Sequence, residues 1–290
     1  VSGAVQIVSI PNYDSQVKVS ATLTAQAWDG TKGGVLIFNT TGDVILYSDI
    51  DVSGQGFRGG FNDISLPRLN NTTEFYYLFH NTPVYSKYAY GLGTDSAAQK
   101  GESVVEYIPG FESGKGKSIN GGGGANIAEA GGGGGASRSN GGNGGISDHI
   151  GAASPGIFAK QRGFNPGLGG EAVVDAARLF LGGGGGAGHG NNGNYYGGAG
   201  GGIIMINAKS IEGNSNLILA DGTDGSNGDS DGGSGGGAGG TVYINTILNT
   251  ATSNLTISAI GGNGGDTNEG NDEYCHGPGG GGSGGEIKTS

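Results

Sequence analysis

The chain of 290 residues contains a single cysteine, Cys275. One cysteine cannot form an intramolecular disulfide, so a disulfide-stabilised scaffold is excluded. No apolar run approaches the ~18 residues that span a lipid bilayer, and we expect no membrane insertion. The sequence also opens without methionine or a signal peptide, directly on the strand-like segment VSGAVQIVSI. This opening suggests a mature or excised segment whose leader has been removed.

Basic residues are scarce in this sequence. Lys and Arg number 14 against 25 Asp and Glu, which gives a formal net charge of -11. A protein that binds nucleic acid presents a basic face to the phosphates, so we expect no nucleic-acid partner. An acidic surface rich in Asn, Ser, Thr and Gly instead suits a secreted protein in surroundings that contain salt or cations.

Proline is also rare, with seven residues, whereas glycine accounts for 70 of the 290. The glycines follow no strict third-residue period, which excludes collagen. A glycine-rich composition usually indicates disorder. Here, however, 34% of the residues are hydrophobic and gather into strand-sized clusters such as VLIF, IIMI and TVYI. We therefore expect a packed core rather than a linker.

A unit that recurs along the chain predicts the fold. Its order is Gly-Gly, strand, turn, strand and a glycine-rich loop, and copies begin at Gly33, Gly201, Gly239 and Gly284. The C-terminal copies start about 40 residues apart, a period that is typical of stacked units. Units that each bury one face against a neighbour make a β-sandwich or a short β-solenoid. The sequence predicts an all-β fold of this kind, with almost no α-helix.

Runs of glycine lie between these units, and the longest stretch passes from Leu181 to Ile206 through five consecutive glycines. An extended helix with three residues per turn has no internal hydrogen bonds. Such helices can bond to one another when they lie side by side, because only glycine permits that close approach and buried backbone must be paired. The sequence therefore predicts a bundle of packed polyglycine II-type helices, both parallel and antiparallel, from about six suitable runs.

The chain divides into four regions that together make one compact domain. Residues 1–60 carry the N-terminal strands and the first β repeat, 61–120 an aromatic and polar insertion, 121–200 the polyglycine-rich region, and 201–290 the C-terminal β repeats. Period-two alternation from Val1 to Ala27 predicts two strands. Apolar residues at i, i+3 and i+7 predict one helix over Glu171–Leu181, and a strand through Arg178–Leu181 is the alternative.

No catalytic group is assembled in the sequence, and we predict that the protein is not an enzyme. The pattern G-x-S-x-G surrounds Ser234 and Ser283, but neither serine follows a strand and opens a helix, as a nucleophile elbow requires. One compact group resembles a ligand set but holds too few Cys and His for a structural metal. That group consists of Asp272, Glu273, Cys275 and His276.

One acidic loop spaces its side-chain oxygens as calcium loops do. Its carboxylates belong to Asp221, Asp224, Asp229 and Asp231. The loop lacks the closing glutamate and the offsets of an EF-hand. A solvated acidic turn is therefore the default interpretation and a structural calcium ion the alternative. We predict no other cofactor.

Aromatic side chains supply the candidate binding surface. Tyrosine and tryptophan are enriched where proteins recognise partners, and the alternative is that these rings cover a glycine floor. The candidates are Trp28, Tyr85, Tyr88, Tyr90, Tyr195 and Tyr196.

An ordered series of sequence strings carries a resemblance to a known module. The strings are WDG with GGVLIF (28–38), GQGFRGG (54–60), KGES (100–103), LFLGGGGGAGHGNNG (179–193), GGGAGGTVYI (235–244) and CHGPGGGGSGG (275–285). This series resembles a glycine-rich module of secreted surface proteins of Bacteroidota. Those are long adhesin-like chains exported by the type IX secretion system, some of them linked to gliding. The resemblance covers nearly the whole chain except residues 62–89, and no C-terminal sorting domain is present.

A looser similarity concerns packing rather than sequence strings. The predicted polyglycine helices are similar to those of the glycine-rich domain of anaplastic lymphoma kinase receptors and of adhesins at phage tail-fibre tips. Together, these resemblances imply a non-enzymatic structural or adhesion module outside the cell or on the bacterial cell surface. Its expected partners are other cell-surface domains, glycans or copies of itself.

Two alternative functions remain open from the sequence. The first is a carbohydrate-binding module in which Trp28 and the tyrosines stack on sugars. The second is a self-assembling filament subunit joined through edge strands at Val1–Ile10 and Glu286–Lys288, because an open strand edge can pair with another chain.

Overall fold

The computed structural model describes residues 6–62, 98–107, 112–125, 130–149, 166–175, 177–190, 193–248, 254–267 and 274–290. The regular secondary structure of these residues consists of β-strands, and none of them lies in a helix. The all-β prediction is therefore confirmed. The strands are β1 (Asn12–Tyr13), β2 (Val17–Val19), β3 (Val35–Thr40), β4 (Asp43–Leu46), β5 (Ile50–Asp51), β6 (Phe61–Asn62), β7 (Asp148–His149), β8 (Tyr195–Tyr196), β9 (Ile203–Ala208), β10 (Ser210–Glu212), β11 (Leu217–Leu219), β12 (Thr241–Thr246), β13 (Thr256–Ser258), β14 (Tyr274–Cys275) and β15 (Glu286–Thr289).

Most strands belong to three parallel sheets that repeat one order along the chain. Sheet A has the order β1-β3-β9-β12-β15, sheet B the order β10-β4-β2 and sheet C the order β13-β11-β5. One unit contributes a strand to each sheet, as β3, β4 and β5 do, and the next unit lays β9, β10 and β11 alongside them. Two short antiparallel pairs, β6 with β8 and β7 with β14, complete the described strands.

Equivalent residues of successive units are directly paired. In sheet A, Val35 pairs with Ile203, Ile203 with Thr241 and Thr241 with Glu286. Side chains alternate between the two faces of a strand, so the paired side chains on one face of each sheet point into the interior. The buried side chains of all three sheets form a single apolar core inside the stacked units. Its largest fully buried members are Val44, Leu46, Ile50, Val52, Ile204, Ile206, Ile218 and Val242.

The repeating unit contains one more strand than the sequence predicts. The second strand of the first repeat unit is divided into β4 and β5, and in the next unit the strand β10 follows β9 after a single residue. A polar bend separates the parts, and the Asp49 carboxylate within it accepts the amide hydrogen of Leu217 in the next unit (2.7 Å). Short strands joined by such bends let each unit contribute to three sheets.

The N-terminal strand prediction is wrong in position. Of the described residues before Trp28, only β1 and β2 are strands, and Leu23 makes an isolated bridge with Ile50. Residues 6–11 are irregular, and sheet A is paired at this edge only through Asn39 and Thr40. Alternation alone therefore identified extended chain but not hydrogen-bond partners.

The helix predicted over Glu171–Leu181 is also wrong, and so is the alternative strand through Arg178–Leu181. The described residues of this segment, 171–175 and 177–181, contain neither a helix nor a strand. The amide of Glu171 donates instead to the carbonyl of Ile119, and the amide of Val173 to that of Ser137. Hydrogen bonds to distant segments have displaced the weak local helix propensity.

The glycine segments form one hydrogen-bonded network, which we call the glycine lattice. In segment 131–136 of the lattice, every third amide donates to the same neighbouring segment. The accepting carbonyls therefore belong in turn to residues 142–145, 233–236 and 120–123. The carbonyls of the segment accept amides from 167–170, 280–283 and 183–186 in the same rotation. A three-residue repeat of partners is the pattern expected from extended chains with three residues per turn.

Two further segments of the lattice are surrounded in the same way. Segment 182–187 donates to residues 198–201, 133–136 and 99–102 and accepts from 57–60, 235–238 and 122–125. Segment 232–238 donates to residues 183–189, 277–280 and 223–226 and accepts from 132–135, 198–201 and 262–265. The lattice thus contains both parallel and antiparallel neighbours.

The lattice and the apolar core are parts of the same units. Gly202, Gly240 and Gly285 immediately precede β9, β12 and β15, so lattice segments continue directly into sheet A. At this junction the Thr241 hydroxyl donates to the carbonyl of Phe180 (2.8 Å). The β units therefore cover one end of the lattice. Ala187 and His189 lie near its opposite end.

Candidate functional site

The end of the lattice opposite the β units brings together described segments that lie far apart in the sequence. Hydrogen bonds join them: the amide of Ala98 donates to the carbonyl of Ala125, and that of Ala125 to the carbonyl of Ala187. The amide of His189 donates to Ala130. We call this surface the loop end, defined by residues 61–62, 98, 125, 130, 145–149, 166–167, 187–190, 193–196, 226–232, 266–267 and 274–277.

Two of the predicted aromatic residues lie at the loop end, on strand β8. Tyr195 is buried, whereas Tyr196 is 55% exposed. In the β6–β8 pair, Tyr196 is directly opposite Phe61, which is 37% exposed. Side chains of directly opposed residues project from the same face of a strand pair. Tyr196 and Phe61 therefore form an exposed aromatic pair at the loop end.

The buried Tyr195 anchors the strand beneath this pair. Its hydroxyl donates to the carboxylate of Asp231 (2.8 Å), which is fully buried. Burial, together with this hydrogen bond to a negatively charged group, raises the pKa of Tyr195 above its ordinary value. The phenol therefore stays neutral at physiological pH. Its role is to hold strand β8 in place rather than to transfer a proton.

Small residues permit the Tyr195 ring to pack closely on the lattice. A methyl group on Gly190 would overlap the ring of Tyr195, and one on Gly193 would crowd its hydroxyl at 2.9 Å. His189 lies in the same layer and is buried, and its carbonyl accepts the amide of Gly232. The sequence alone could not connect Tyr195 with Asp231, because 36 residues separate them.

The other predicted aromatic residues do not join this group within the described part of the chain. Trp28 lies near the β units, where its ring meets that of Phe57 edge-on at a centroid distance of 5.6 Å. Its amide donates to the carbonyl of Gln55. Tyr85, Tyr88 and Tyr90 fall outside the described residues.

The predicted calcium loop runs along one side of the lattice and carries a regular side-chain ladder. The carboxylates of Asp221 and Asp224 accept the amides of Ile260 (2.7 Å) and Asn263 (2.6 Å). Asn227 continues the series, and its side-chain carbonyl accepts the amide of Asp266 (2.9 Å). The three-residue spacing of these side chains matches the three-residue turn of the backbone.

The same loop bonds to a second neighbour through its hydroxyl groups. Thr223 accepts the amide of Ala199 (2.8 Å), and Ser226 accepts that of Tyr196 (3.2 Å). In each Asp/Asn-Gly-Thr/Ser triplet, the Asp or Asn side chain thus accepts an amide from one neighbouring segment. The Thr or Ser hydroxyl accepts an amide from another segment, and the glycine stands between these two residues in the sequence. The calcium-like spacing of the sequence is, in the structure, the spacing of this ladder.

The four carboxylates proposed for calcium are therefore in different settings. Asp221 and Asp224 bond to segment 260–263, and Asp231 bonds to Tyr195. Asp229 is exposed and has a positive φ of 47°. No group of three or more His, Cys, Asp or Glu side chains able to hold a metal ion occurs in the described part of the chain. Asp272 and Glu273 of the other predicted ligand group lie outside it.

The two serines in G-x-S-x-G patterns are structural members of the lattice. The Ser234 hydroxyl accepts the amide of Gly188 (3.1 Å), and the Ser283 hydroxyl accepts that of Ser137 (2.8 Å). Both side chains are buried. They supply acceptors to neighbouring backbones, which is the role that the threonines and serines of the ladder also have.

Sequence reasoning missed a buried basic group beside the lattice. Lys100 is only 1% exposed, and burial lowers its pKa from 10.5 to about 8. Burial also lowers the pKa of Lys115 to about 8. The Tyr107 hydroxyl donates to the backbone carbonyl of Lys100 (2.7 Å), and burial raises the pKa of this tyrosine. Nearby, Arg58 forms an ion pair with Glu102.

Comparisons with known proteins add no relative to these observations. No protein-family model, no curated protein and no solved structure matches the chain. A separate search of the described residues finds no helix that is long and apolar enough to cross a lipid bilayer.

Proposed function

We propose that this chain is a non-enzymatic structural and adhesion module that works outside the cell or on a bacterial cell surface. Its glycine lattice is a rigid support, and its loop end is the surface that meets a partner. Expected partners are glycans, other cell-surface domains and copies of the chain itself.

One observation carries this proposal. Segments that are distant in the sequence meet at the loop end, where the amides of Ala98, Ala125 and His189 donate to Ala125, Ala187 and Ala130. Two exposed aromatic side chains, Phe61 and Tyr196, lie on this surface. Surface segments gathered at one end of a rigid scaffold are a common location for binding residues. The β end, in contrast, is closed by the apolar core.

The finer architecture that we infer has two parts. The β units form a short parallel solenoid, because β3, β4 and β5 of one unit pair in parallel with β9, β10 and β11 of the next, and β12 and β13 of the following unit extend sheets A and C. The glycine segments form a polyglycine II bundle, because their hydrogen-bond partners repeat every three residues. Both parts pair their backbone groups with neighbours, which supports a stiff and protease-resistant module.

The aromatic pair favours glycans among the possible partners. Tyr196 and Phe61 are both exposed and project from the same face of the β6–β8 pair. Aromatic faces give apolar contact area while a tyrosine hydroxyl supplies a polar group, a combination that suits sugar rings. A carbohydrate-binding role at the loop end is therefore the second candidate, and it uses the same surface.

A binding experiment with a matched control tests the proposal. The labelled chain is applied to a glycan array and to intact bacterial cells, alongside the double variant Phe61→Ala/Tyr196→Ala and the control Tyr47→Ala. Tyr47 is 59% exposed but follows β4 in a β unit. We expect the double variant to lose most binding and the control to retain it.

The opposite pattern would contradict the proposal. Binding that survives the double variant but is lost with Tyr47→Ala places the recognition surface on the β units. Binding to cells without any hit on the array removes glycans as the partner and leaves a protein partner at the same end.

A further inference from the structure

The sequence contains four copies of the N-glycosylation sequon, Asn-x-Ser/Thr with any residue except proline at x. They begin at Asn39, Asn70, Asn71 and Asn254. Asn70 and Asn71 lie outside the described residues, whereas Asn39 belongs to strand β3 and Asn254 lies two residues before strand β13. The sequence alone does not rank these sequons, but the structure separates the two that it describes.

Asn254 lies at an exposed corner of its β unit. Its φ is 66°, in the left-handed region that asparagine adopts more readily than most other residues. Its carbonyl accepts the amide of Ser215 in the preceding unit (2.8 Å), which holds the corner in place. The side chain is exposed, and its amide group makes no hydrogen bond within the described part of the chain. The nitrogen that carries a sugar in this modification is therefore accessible.

The preceding unit shows that this corner faces outward from the stack. Leu217 pairs with Thr256 in the β11–β13 pair, so Ser215 and Asn254 occupy equivalent positions two residues earlier. Both residues have a φ of 66°. Ser215 is exposed even though the unit that contains Asn254 is stacked directly on its own unit. The exposure of Asn254 thus follows from the position of the corner, whether or not another unit is stacked on it.

The middle residue of the sequon fastens this segment to the fold. Leu255 is half-buried and packs against the apolar core. A methyl group on Gly213 would meet its Cβ at 2.6 Å, so the contact is close. Thr256, on the other side of Leu255, is exposed like Asn254. A sugar on Asn254 therefore extends into solvent without displacing a packed side chain.

Asn39 has the opposite setting. Its side-chain nitrogen donates to the oxygen of Asn12 (2.8 Å), and its side-chain oxygen accepts from Asn207 (2.7 Å). Attached sugars are bulky and need a free surface. A sugar on the nitrogen of Asn39 would displace Asn12 and break this row of hydrogen bonds. The fold therefore opposes modification at Asn39.

We propose that Asn254 is an N-glycosylation site, which takes an oligosaccharide from a lipid diphosphate donor. The side-chain nitrogen forms a bond to the anomeric carbon of the sugar and loses one proton. The bond between that carbon and the diphosphate oxygen breaks, and the lipid diphosphate leaves. The site lies on the β units, so the sugar leaves Phe61 and Tyr196 at the loop end accessible. This inference rests on the proposed extracellular function, because such sugars are attached to exported chains.

A reaction with purified components tests the proposal. The folded 290-residue chain is incubated with an oligosaccharyltransferase and a lipid-linked oligosaccharide, and its proteolytic peptides are analysed by mass spectrometry. We expect sugar on the peptide that contains Asn254 and none on the peptide that contains Asn39. Synthetic peptides of residues 36–44 and 251–259 are the matched control. Both peptides should be modified, because neither is held in a fold.

Two substitutions at Thr256 test the sequon without changing Asn254. Thr256→Val removes the hydroxyl group at nearly constant shape and should cause complete loss of the sugar from Asn254. Thr256→Ser keeps the hydroxyl group and should retain the sugar. Thermal unfolding before the reaction checks that each variant is folded.

Three results would overturn the proposal. They are an Asn254 that stays unmodified in the folded chain while its peptide is modified, equal modification of Asn39 in the folded chain, and a sugar that survives Thr256→Val. The reaction does not involve ligand binding, so a negative result leaves the proposed function of the loop end standing. A failure of binding at the loop end, in turn, leaves the result at Asn254 unchanged.

Discussion

Gly185 illustrates why the lattice needs glycine at the scale of one residue. Its amide donates to the carbonyl of Gly198, and its own carbonyl accepts the amide of Gly60. A methyl group on Gly185 would overlap the carbonyl oxygen of Gly235. The overlapping atom is backbone, so no side chain can rotate away to relieve the clash.

Replacing this residue should therefore be far more costly than replacing a glycine at the edge of the lattice. We expect Gly185→Ala to destabilise the fold by about 3 kcal/mol, because a neighbouring segment must move. Gly281→Ala is the matched control, since the nearest atom to its added methyl group is 3.8 Å away and the residue is exposed. It should stay within about 0.5 kcal/mol of the parent, or gain slightly from a less flexible unfolded chain. Equal losses in urea unfolding would contradict a close-packed lattice.

Lys100 is the second residue whose setting has a measurable consequence. Burial lowers its pKa to about 8 and outweighs the opposing effect of the Glu112 carboxylate, which favours the charged form. Between pH 8 and its ordinary pKa of 10.5, the unfolded chain holds a proton that the folded chain has released. Stability therefore rises with pH across this window, and the penalty is fully present below pH 8.

We expect Lys100→Met to remove this penalty. At pH 7 the variant should be more stable by on the order of 1 to 3 kcal/mol, and its advantage should shrink as the pH approaches 10. Urea unfolding at pH 7, 8.5 and 10 measures the difference, with Lys18→Met on the surface of β2 as the control. A loss of stability at pH 7 would show that the ammonium group is held by its surroundings rather than penalised by them.

The Asp/Asn-Gly-Thr/Ser ladder shows how element structure follows from a three-residue pattern. Asp221, Asp224 and Asn227 accept amides from segment 260–266 at three-residue intervals. Asp and Asn serve equally in this series because both present a carbonyl oxygen. The spacing was visible in the sequence, but its partner segment was not, and a calcium loop shares the same residue types.

One substitution separates the ladder from a calcium site. Asp224→Asn keeps the acceptor for Asn263 but removes the charge, so the ladder account predicts a change within about 0.5 kcal/mol. Asp224→Ala should cost about 1 kcal/mol more. Calcium and chelator are added to each protein during thermal unfolding. A parent protein that calcium stabilises, with Asp224→Asn insensitive to it, would favour the metal site.

A second ladder runs across sheet A on its outer face. Its members are Asn12, Asn39, Asn207, Asn245 and Ser290, each bonded to the next through the side chain at 2.7–3.2 Å. The sequence placed these strands well, but only the parallel register aligns the asparagines. Registers are set by pairings between residues far apart in the chain, which local patterns do not encode.

The position of an asparagine in this ladder should determine its contribution. Asn207 donates to Asn39 and accepts from Asn245, so Asn207→Ala breaks two links and should cost about 1 to 2 kcal/mol. Asn12→Ala breaks one link at the end of the ladder and an exposed hydrogen bond to the carbonyl of Ile10 (3.1 Å). Because that second bond is exposed to water, the substitution should cost roughly half as much. Chemical denaturation measures both values. Equal losses of stability would contradict this expectation, because the number of ladder hydrogen bonds would then not determine what each asparagine contributes.

At the scale of the whole molecule, two kinds of repeat share one set of units. Strand-sized apolar clusters predicted the all-β fold, and glycine runs predicted a bundle with parallel and antiparallel neighbours. Local patterns failed where distant partners decide the outcome, as at Glu171–Leu181 and in the Tyr195–Asp231 contact. The loop end could be anticipated only in part, since the sequence pointed to Tyr195 and Tyr196 but not to Phe61 or to the contacts that join segments 98, 125, 130 and 187–189.

The central claim is that the glycine segments are an ordered, hydrogen-bonded core rather than a linker. Backbone hydrogen exchange, followed by mass spectrometry on peptides from residues 131–136, 182–187 and 232–238, tests it most directly. These amides donate to neighbouring carbonyls, so we predict that they exchange as slowly as those of β9 and β12, through opening of the whole fold. Exchange at the rate of unstructured glycine chain, while β9 and β12 remain protected, would contradict the account.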